Sequence, residues 1–231
     1  EAVIHKEFHL SSADPKLVGK ENSIIVGNTN FMVADQLADV GMEAIHPKAS
    51  KPLELAGINI RIKNTFEPEH PGTLISKNYV AEKSRIEIVS GTDKVLAVEV
   101  HDPMMVGEVG FDLRIMQVFE KHDVSYILKS TNANSITMVI WDKPKSKGLI
   151  EELSEKFYQV TVKDVAIVCC MGTNIAHPGF LYKAAKALCD NNINIECFAQ
   201  SLRQVNMQFV IDRKDYSSAI VALNNALCVT K

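Results

Sequence analysis

The sequence lacks most of the local features that give a function away. Its longest apolar stretches, such as VAIVCCM at 165–171, fall far short of the roughly 20 residues a membrane helix requires. The first thirty residues are too polar for a secretory signal. Neither sign of charge dominates: 25 Lys and Arg against 28 Asp and Glu leave a formal net charge of −3, so the totals supply no basic field for nucleic acid or anionic lipid. Cysteine is sparse and odd in number. Cys169, Cys170, Cys189, Cys197 and Cys228 lie within apolar patterns, not at staple-like or metal-like spacings. The adjacent pair Cys169 and Cys170 could bind metal or be redox-active, but on a strand the two point to opposite faces, which favours plain core thiols. His5, His9, His70, His101, His122 and His177 likewise form no ligand spacing, and no metal site is expected. These absences describe a soluble, cytoplasmic protein with no nucleic-acid or membrane partner. What is present, 46% hydrophobic and 23% charged residues over 231 positions, excludes disorder and fibre and suffices for one large domain or two or three small ones.

The informative feature is a repeat. GFDLRIMQVFEKHDVSYILKSTNANSITMVI, starting at Gly110, aligns with GFLYKAAKALCDNNINIECFAQSLRQVNMQFVI, starting at Gly179. Each copy opens on Gly-Phe and continues with apolar residues at helical spacing (Leu113, Met116, Phe119; Leu181, Ala184, Ala185, Leu188). An Asp/Asn-rich corner follows, then two strands: 124–130 and 135–141, or 193–199 and 205–211. Hydrophobic strands at 95–100 and 165–170 precede the copies. Second helices follow them, marked by Leu149, Leu153 and Phe157 and by Tyr216, Ala219, Ile220, Leu223 and Leu227. With a closing strand at 158–164, the first copy reads βαββαβ, an antiparallel sheet with helices on one face. The second copy reaches Lys231 without a closing strand. The alternating segment INIRIKNTF at 58–66, after a helix at 48–56, is the expected donor, which would insert the first module within the second.

The segment GMEAIHPKASKPLELAGINIRIKNTFEPEHPGTLI, 41–75, resembles the end of the catalytic domain of aspartate kinases, and SADPKLV at 12–18 resembles that family's Ala-Asp-Pro-Arg segment. The two βαββα copies resemble the family's paired ACT modules. IHKEFHLSSADP and GMEAIHPKA further resemble the branch associated with ectoine synthesis. The implied fold class is α+β: two ferredoxin-like ACT modules, one inserted in the other, after the C-terminal end of an α/β amino-acid kinase domain. The expected division is 1–57 for the kinase remnant, 83–160 for the first module, and 58–66 with 161–231 for the second. Aspartate kinases open with a Lys-Phe/Tyr-Gly-Gly segment that helps cradle phosphate, and none occurs in these 231 residues. Together with a beginning at Glu1 instead of Met, this suggests a fragment.

Gly107 and Gly110 lie between a strand and a helix, where they either simply make the turn or let helix amides receive a ligand carboxylate. The resemblance favours the second reading. It implies effector contacts at Met105, Gly107, Gly110, Phe111 and Asp112 on the loop side, and at Ile127, Asn132, Asn134 and Ser135 on the strand side. Where lysine-sensitive relatives place an aspartate, this sequence has Ile127, with Ala133 at a nearby glutamate position; a neutral effector such as threonine is therefore favoured over lysine. The second copy offers Pro178, Gly179 and Phe180, then Gln200, Ser201 and Asn206, the last of which serves equally well as a turn cap. Lys6, Ser12, Asp14 and Lys16 lie where the family approaches ATP. Its usual lysine before the His-Pro turn is Glu43 here, and His46 reads as a turn residue.

No catalytic residues are assigned. The expectation is the effector-sensing portion of an aspartate kinase, whose parent, with ATP and Mg, makes 4-phospho-L-aspartate, and which pairs as a homodimer by joining first modules side by side. The alternative is a free-standing ACT-type sensor without catalysis. An active small kinase fails for want of a phosphate loop.

Overall fold

The structure is a computed structural model that describes residues 1–42 and 45–229; Glu43 lies outside the described residues. The chain runs β1 (Ala2–Lys6), α1 (Pro15–Val18), β2 (Asn28–Asn30), α2 (Phe31–Asp39), α3 (Pro47–Leu55), β3 (Ile60–Asn64) and β4 (Thr73–Ser76). It continues through β5 (Ile88–His101), α4 (Phe111–Lys121), β6 (Tyr126–Thr131), β7 (Ser135–Trp141) and α5 (Pro144–Lys156). The last elements are β8 (Gln159–Met171), α6 (Phe180–Asp190), β9 (Cys197–Ala199), β10 (Asn206–Asp212) and α7 (Tyr216–Leu227).

Side-chain periodicity accounts for these elements. Helix α4 buries Phe111, Ile115, Val118 and Phe119, a spacing of three and four that forms one stripe. Asn30 caps α2 by accepting from the Val33 N–H at 3.0 Å, and His46 caps α3 by accepting from the Lys48 N–H at 3.2 Å, the turn role expected of it. The repeat extends to the backbone. Asp123 and Asn192, 69 residues apart like Gly110 and Gly179, both adopt positive φ (51° and 57°) just beyond their helices.

Two sheets form. The smaller has the order β1-β3-β4-β2, and the larger β6-β7-β5-β8-β10-β9. Within the larger sheet β6-β7-β5-β8 and β5-β8-β10-β9 are both ferredoxin-like, and β5 and β8 serve both modules. Helices α4 to α7 cover one face. The other face, carrying Val95, Val165, Ile167 and Cys169, shares its core with Phe31, Leu37, Ile60 and Ile75 of the kinase-like part. The alternation of β8 sends Cys169 into that shared core and Cys170 beneath the helices.

The 58–66 segment does not close the second module. Strand β3 is flanked on both sides in the smaller sheet, parallel to β1 (Ala2↔Ile60) and antiparallel to β4 (Ile60↔Ile75), and has no edge to give. The donor is Ile88–Thr92, the first half of β5, paired with Ile167–Met171. The insertion of one module within the other therefore stands with a different strand. The strand expected at 95–100 extends back to Ile88: Asp93 and Lys94 form a bulge between Thr92 and Val95 inside one 14-residue strand, and Gly91 pairs with Val168 just before it. Gly91 is required there because a Cβ would sit 2.1 Å from the Ile167 carbonyl oxygen. In the same way, 158–164 and 165–170 are one strand, β8, in place of two.

Candidate effector site

The connection from β5 to α4 is held by short local bonds. The Asp102 side chain accepts from the Met104 N–H at 2.9 Å, and the Asp102 N–H donates to the Asn134 carbonyl at 3.0 Å. Gly107 and Gly110 have φ of 75° and 84°, so glycine is needed at both for conformational reasons, and an added Cβ at either would meet open space. Gly110 caps α4 without any side chain to accept from the first helical amides. Those amides are therefore available to an anion. Met105 is half-buried and Phe111 buried beside Phe157, at 5.6 Å between ring centroids.

Asp112 does more than line the loop. Its carboxylate pairs with the Lys129 ammonium from β6, setting a cation next to the helix start. Lys129 escaped the sequence reading because an isolated lysine on a strand normally reads as solvated.

The strand side departs from expectation at two positions. A bulge between Tyr126 and Leu128 turns both Ile127 and Leu128 to the shared core, on the face of the sheet opposite α4. Ile127 is only 9% exposed and does not face the loop. It cannot select a side chain at the α4 start, and the correction follows from a backbone irregularity that alternation alone does not reveal. Asn132 is also engaged: its Oδ1 accepts from the Asn134 and Ser135 N–H groups at 3.1 and 2.9 Å, closing the β6–β7 hairpin. Ser135 is buried, with Oγ 3.3 Å from Glu99 Oε2, while Asn134 is exposed.

In the second module Pro178 and Gly179 are exposed and Phe180 half-buried, and Gly179 caps α6 at φ 97° with no side-chain bond. Gln200 and Ser201 are exposed after β9. Asn206 is buried at the start of β10 and donates to Gln36 Oε1 of α2 at 3.0 Å. Its amide ties the module to the kinase-like part.

The nucleotide candidates separate similarly. Asp14 and Lys16 are exposed on one turn, where Asp14 accepts from the Lys16 N–H at 2.9 Å. Lys6 ends β1. Ser12 is 2% exposed, and its hydroxyl donates to Asn224 and accepts from the Ile24 N–H at 3.1 Å, so it supports the turn from beneath.

Residues 168–227 match the ACT domain family. Across 230 residues, 98% of this chain, the sequence is 46% identical to the aspartate kinase Ask_Ect of Stutzerimonas stutzeri (strain A1501), of which it covers 48%. This chain is related to the aspartate kinases. The aspartate kinase of Clostridium acetobutylicum shares the fold at a TM-score of 0.87 and 24% identity, over 97% of this chain and 54% of that one. The regulatory subunit of aspartate kinase from Thermus flavus matches 62% of this chain and 99% of its own at a TM-score of 0.55 and 14% identity. The chain thus spans about half the length of the curated aspartate kinase it matches at 46% identity. The α+β architecture with ferredoxin-like ACT modules follows from the sheet order and from these likenesses together.

Relatedness to aspartate kinases puts weight on how the second module's loop is held. The Thr173 hydroxyl accepts from the Ala81 N–H at 2.9 Å, Asn174 Nδ2 donates to the Ala81 carbonyl at 2.8 Å, and Glu87 Oε2 accepts from the Thr173 N–H at 2.6 Å. These straps fix the loop between β8 and α6 to the segment entering β5. The loop between β5 and α4 has no comparable strap to a segment outside its own module among the described bonds. No helix among the described residues is long and apolar enough to cross a membrane, and no group of three or more His, Cys, Asp or Glu there could hold a metal.

Proposed function

We propose that this chain is the amino-acid-sensing portion of an aspartate kinase, whose whole protein uses ATP with Mg to phosphorylate the β-carboxylate of L-aspartate. That reaction opens the route to the aspartate-family amino acids and, on the resemblance to the ectoine branch, to ectoine. The observation that carries the sensing role is the uncapped start of α4 at Gly110 with Lys129 beside it. Both features attract an α-carboxylate. Lys129 is paired with Asp112, so a ligand meets an ion pair there with no net charge to sort one side chain from another. The preference for threonine rests on Ala133, neutral where lysine-sensitive relatives place a glutamate. The exposed Met104, Val106 and Val109 around this loop, at 76%, 63% and 99%, suit a second copy of the first module, which supports the homodimer reading.

Calorimetric titration tests this. Threonine is expected to bind in preference to lysine, and Lys129→Met to weaken threonine binding by about tenfold, the loss of one charge-assisted contact. Tighter binding of lysine by the unaltered chain would overturn the assignment. The chain by itself is expected to show no aspartate-dependent ADP release, since it carries no Lys-Phe/Tyr-Gly-Gly segment.

A further inference from the structure

Helix α7 is apolar where it is buried, with Ala219, Ile220 and Leu223 in the core beneath it, yet the next residue, Asn224, is also fully buried. Asparagine is a poor helix former, and burying its amide is costly unless both ends are hydrogen-bonded. Both ends are bonded, and to the same loop. Asn224 Oδ1 accepts from the Ser12 hydroxyl at 2.9 Å, and Nδ2 donates to the Asn22 carbonyl at 2.8 Å. One side chain from the last helix of the second module therefore pins both feet of the loop that carries Asp14 and Lys16. Ser12 is held from a third direction, since its carbonyl accepts from the Val89 N–H of β5 at 2.6 Å. The loop's shape is thus set by the sensing modules.

We propose that Asn224 is a positioning residue for the nucleotide, holding the 12–22 loop in the form that presents Asp14 and Lys16 to ATP. The inference rests on the aspartate kinase reading above. It requires no contact between Asn224 and substrate, and it gives the second module a direct mechanical path to nucleotide affinity.

The test uses the full-length protein with two variants. Asn224→Leu removes both bonds at similar volume, and Ser12→Ala removes one. Asn224→Leu is expected to raise KM for ATP by about tenfold and Ser12→Ala by about threefold, with smaller changes in kcat and in KM for aspartate. The double variant should be no worse than Asn224→Leu alone, because the bonds belong to one clamp. In parallel, amide exchange across 12–22 should quicken in Asn224→Leu while 165–171 keeps its protection. An unchanged KM for ATP in Ser12→Ala, or equal losses in every kinetic constant, would overturn the positioning role. Unaltered protein that releases no ADP with aspartate would overturn the kinase reading instead, and the exchange measurement then decides the clamp alone.

Discussion

The two modules descend from one pattern, and both pack one sheet face against the kinase-like part, but they differ on the helix side and in their polar contacts. Beneath the helices of the first module, the core contains residues of positions 96–160 only. Beneath those of the second, it also takes in Ala13, Leu17 and Val18 from the kinase-like part. Polar contacts follow the same division: Asn206 reaches Gln36, Asn224 reaches Ser12 and Asn22, and Thr173 and Asn174 bind Ala81. The second module is fixed to its neighbour. The first keeps its loop exposed. On the sensing role proposed above, the exposed loop would be the face that responds and the anchored module the face that transmits, and duplicating one module would supply both without a new fold.

Core truncation at equivalent positions tests that division most severely. Phe119 and Leu188 occupy matching places, 69 residues apart, and are 3% and 0% exposed. Phe119→Ala should cost about 4 kcal/mol and Leu188→Ala about 3 kcal/mol in urea unfolding. The discriminating readout is amide exchange at 13–18: Leu188→Ala should reduce protection there and Phe119→Ala should not. Equal loss of protection from both variants would mean that the first module is fixed to the kinase-like part as firmly as the second.

Much of this was legible beforehand because periodicity survives in a single sequence. The helices, the hairpins and the duplicated order came from residues such as Phe119, Leu149 and Leu188, whose spacing leaves one face to bury, although Leu113 and Leu181, read on the same stripes, are exposed and Ile115 fills the place beneath α4. What stayed hidden depended on partners distant in sequence. The β3 segment 58–66 alternates well enough to suit either sheet, and nothing in its own residues says that β1 and β4 already flank it. Ile127 was assigned to the pocket by position, but a one-residue bulge reverses which side of the sheet it faces. Ser12 and Asn206 read as ligand contacts in the sequence, and Asn224 as an ordinary polar residue; all three are buried and bonded within the protein. Their roles exist only because the fold brings residues more than 150 positions apart within 3.0 Å.

A milder perturbation concerns the strap on the second module's loop. Asn174→Ala removes one side-chain to backbone bond to Ala81 and should cost about 1 kcal/mol. The effect is expected to appear in exchange at 172–175 and 80–82, with α6 unaffected. The same substitution at Asn134 in the exposed hairpin of the first module should change stability by less than about 0.5 kcal/mol, as surface changes away from such bonds do. If the two variants behave alike, the strap contributes nothing to the difference between the modules.

The smallest expected effect lies in acid. In the first module α4 and α5 are joined by charge: Glu152 of α5 sits 2.8 Å from Lys121 Nζ and 2.7 Å from His122 Nε2, with Lys156 on its other oxygen. Hydrogen bonds from Lys121, Lys156 and His122 hold its carboxyl down to about 2, against an ordinary value of 4.5. A carboxyl whose pKa is lowered on folding favours the folded state above its unfolded value and loses that contribution as pH falls through the folded one. The window is therefore from about pH 4.5 down to about pH 2, and salt should narrow the effect because the cations are partly exposed. In the second module α6 and α7 meet through Ala184, Leu188, Ala219 and Leu223, with no such carboxylate between them. Between pH 5 and pH 3, amide exchange should quicken in 111–121 relative to 180–190, and Glu152→Gln should abolish that difference. Equal acid sensitivity in the two helices, or a difference that survives Glu152→Gln, would show that charge does not distinguish how the modules are held together.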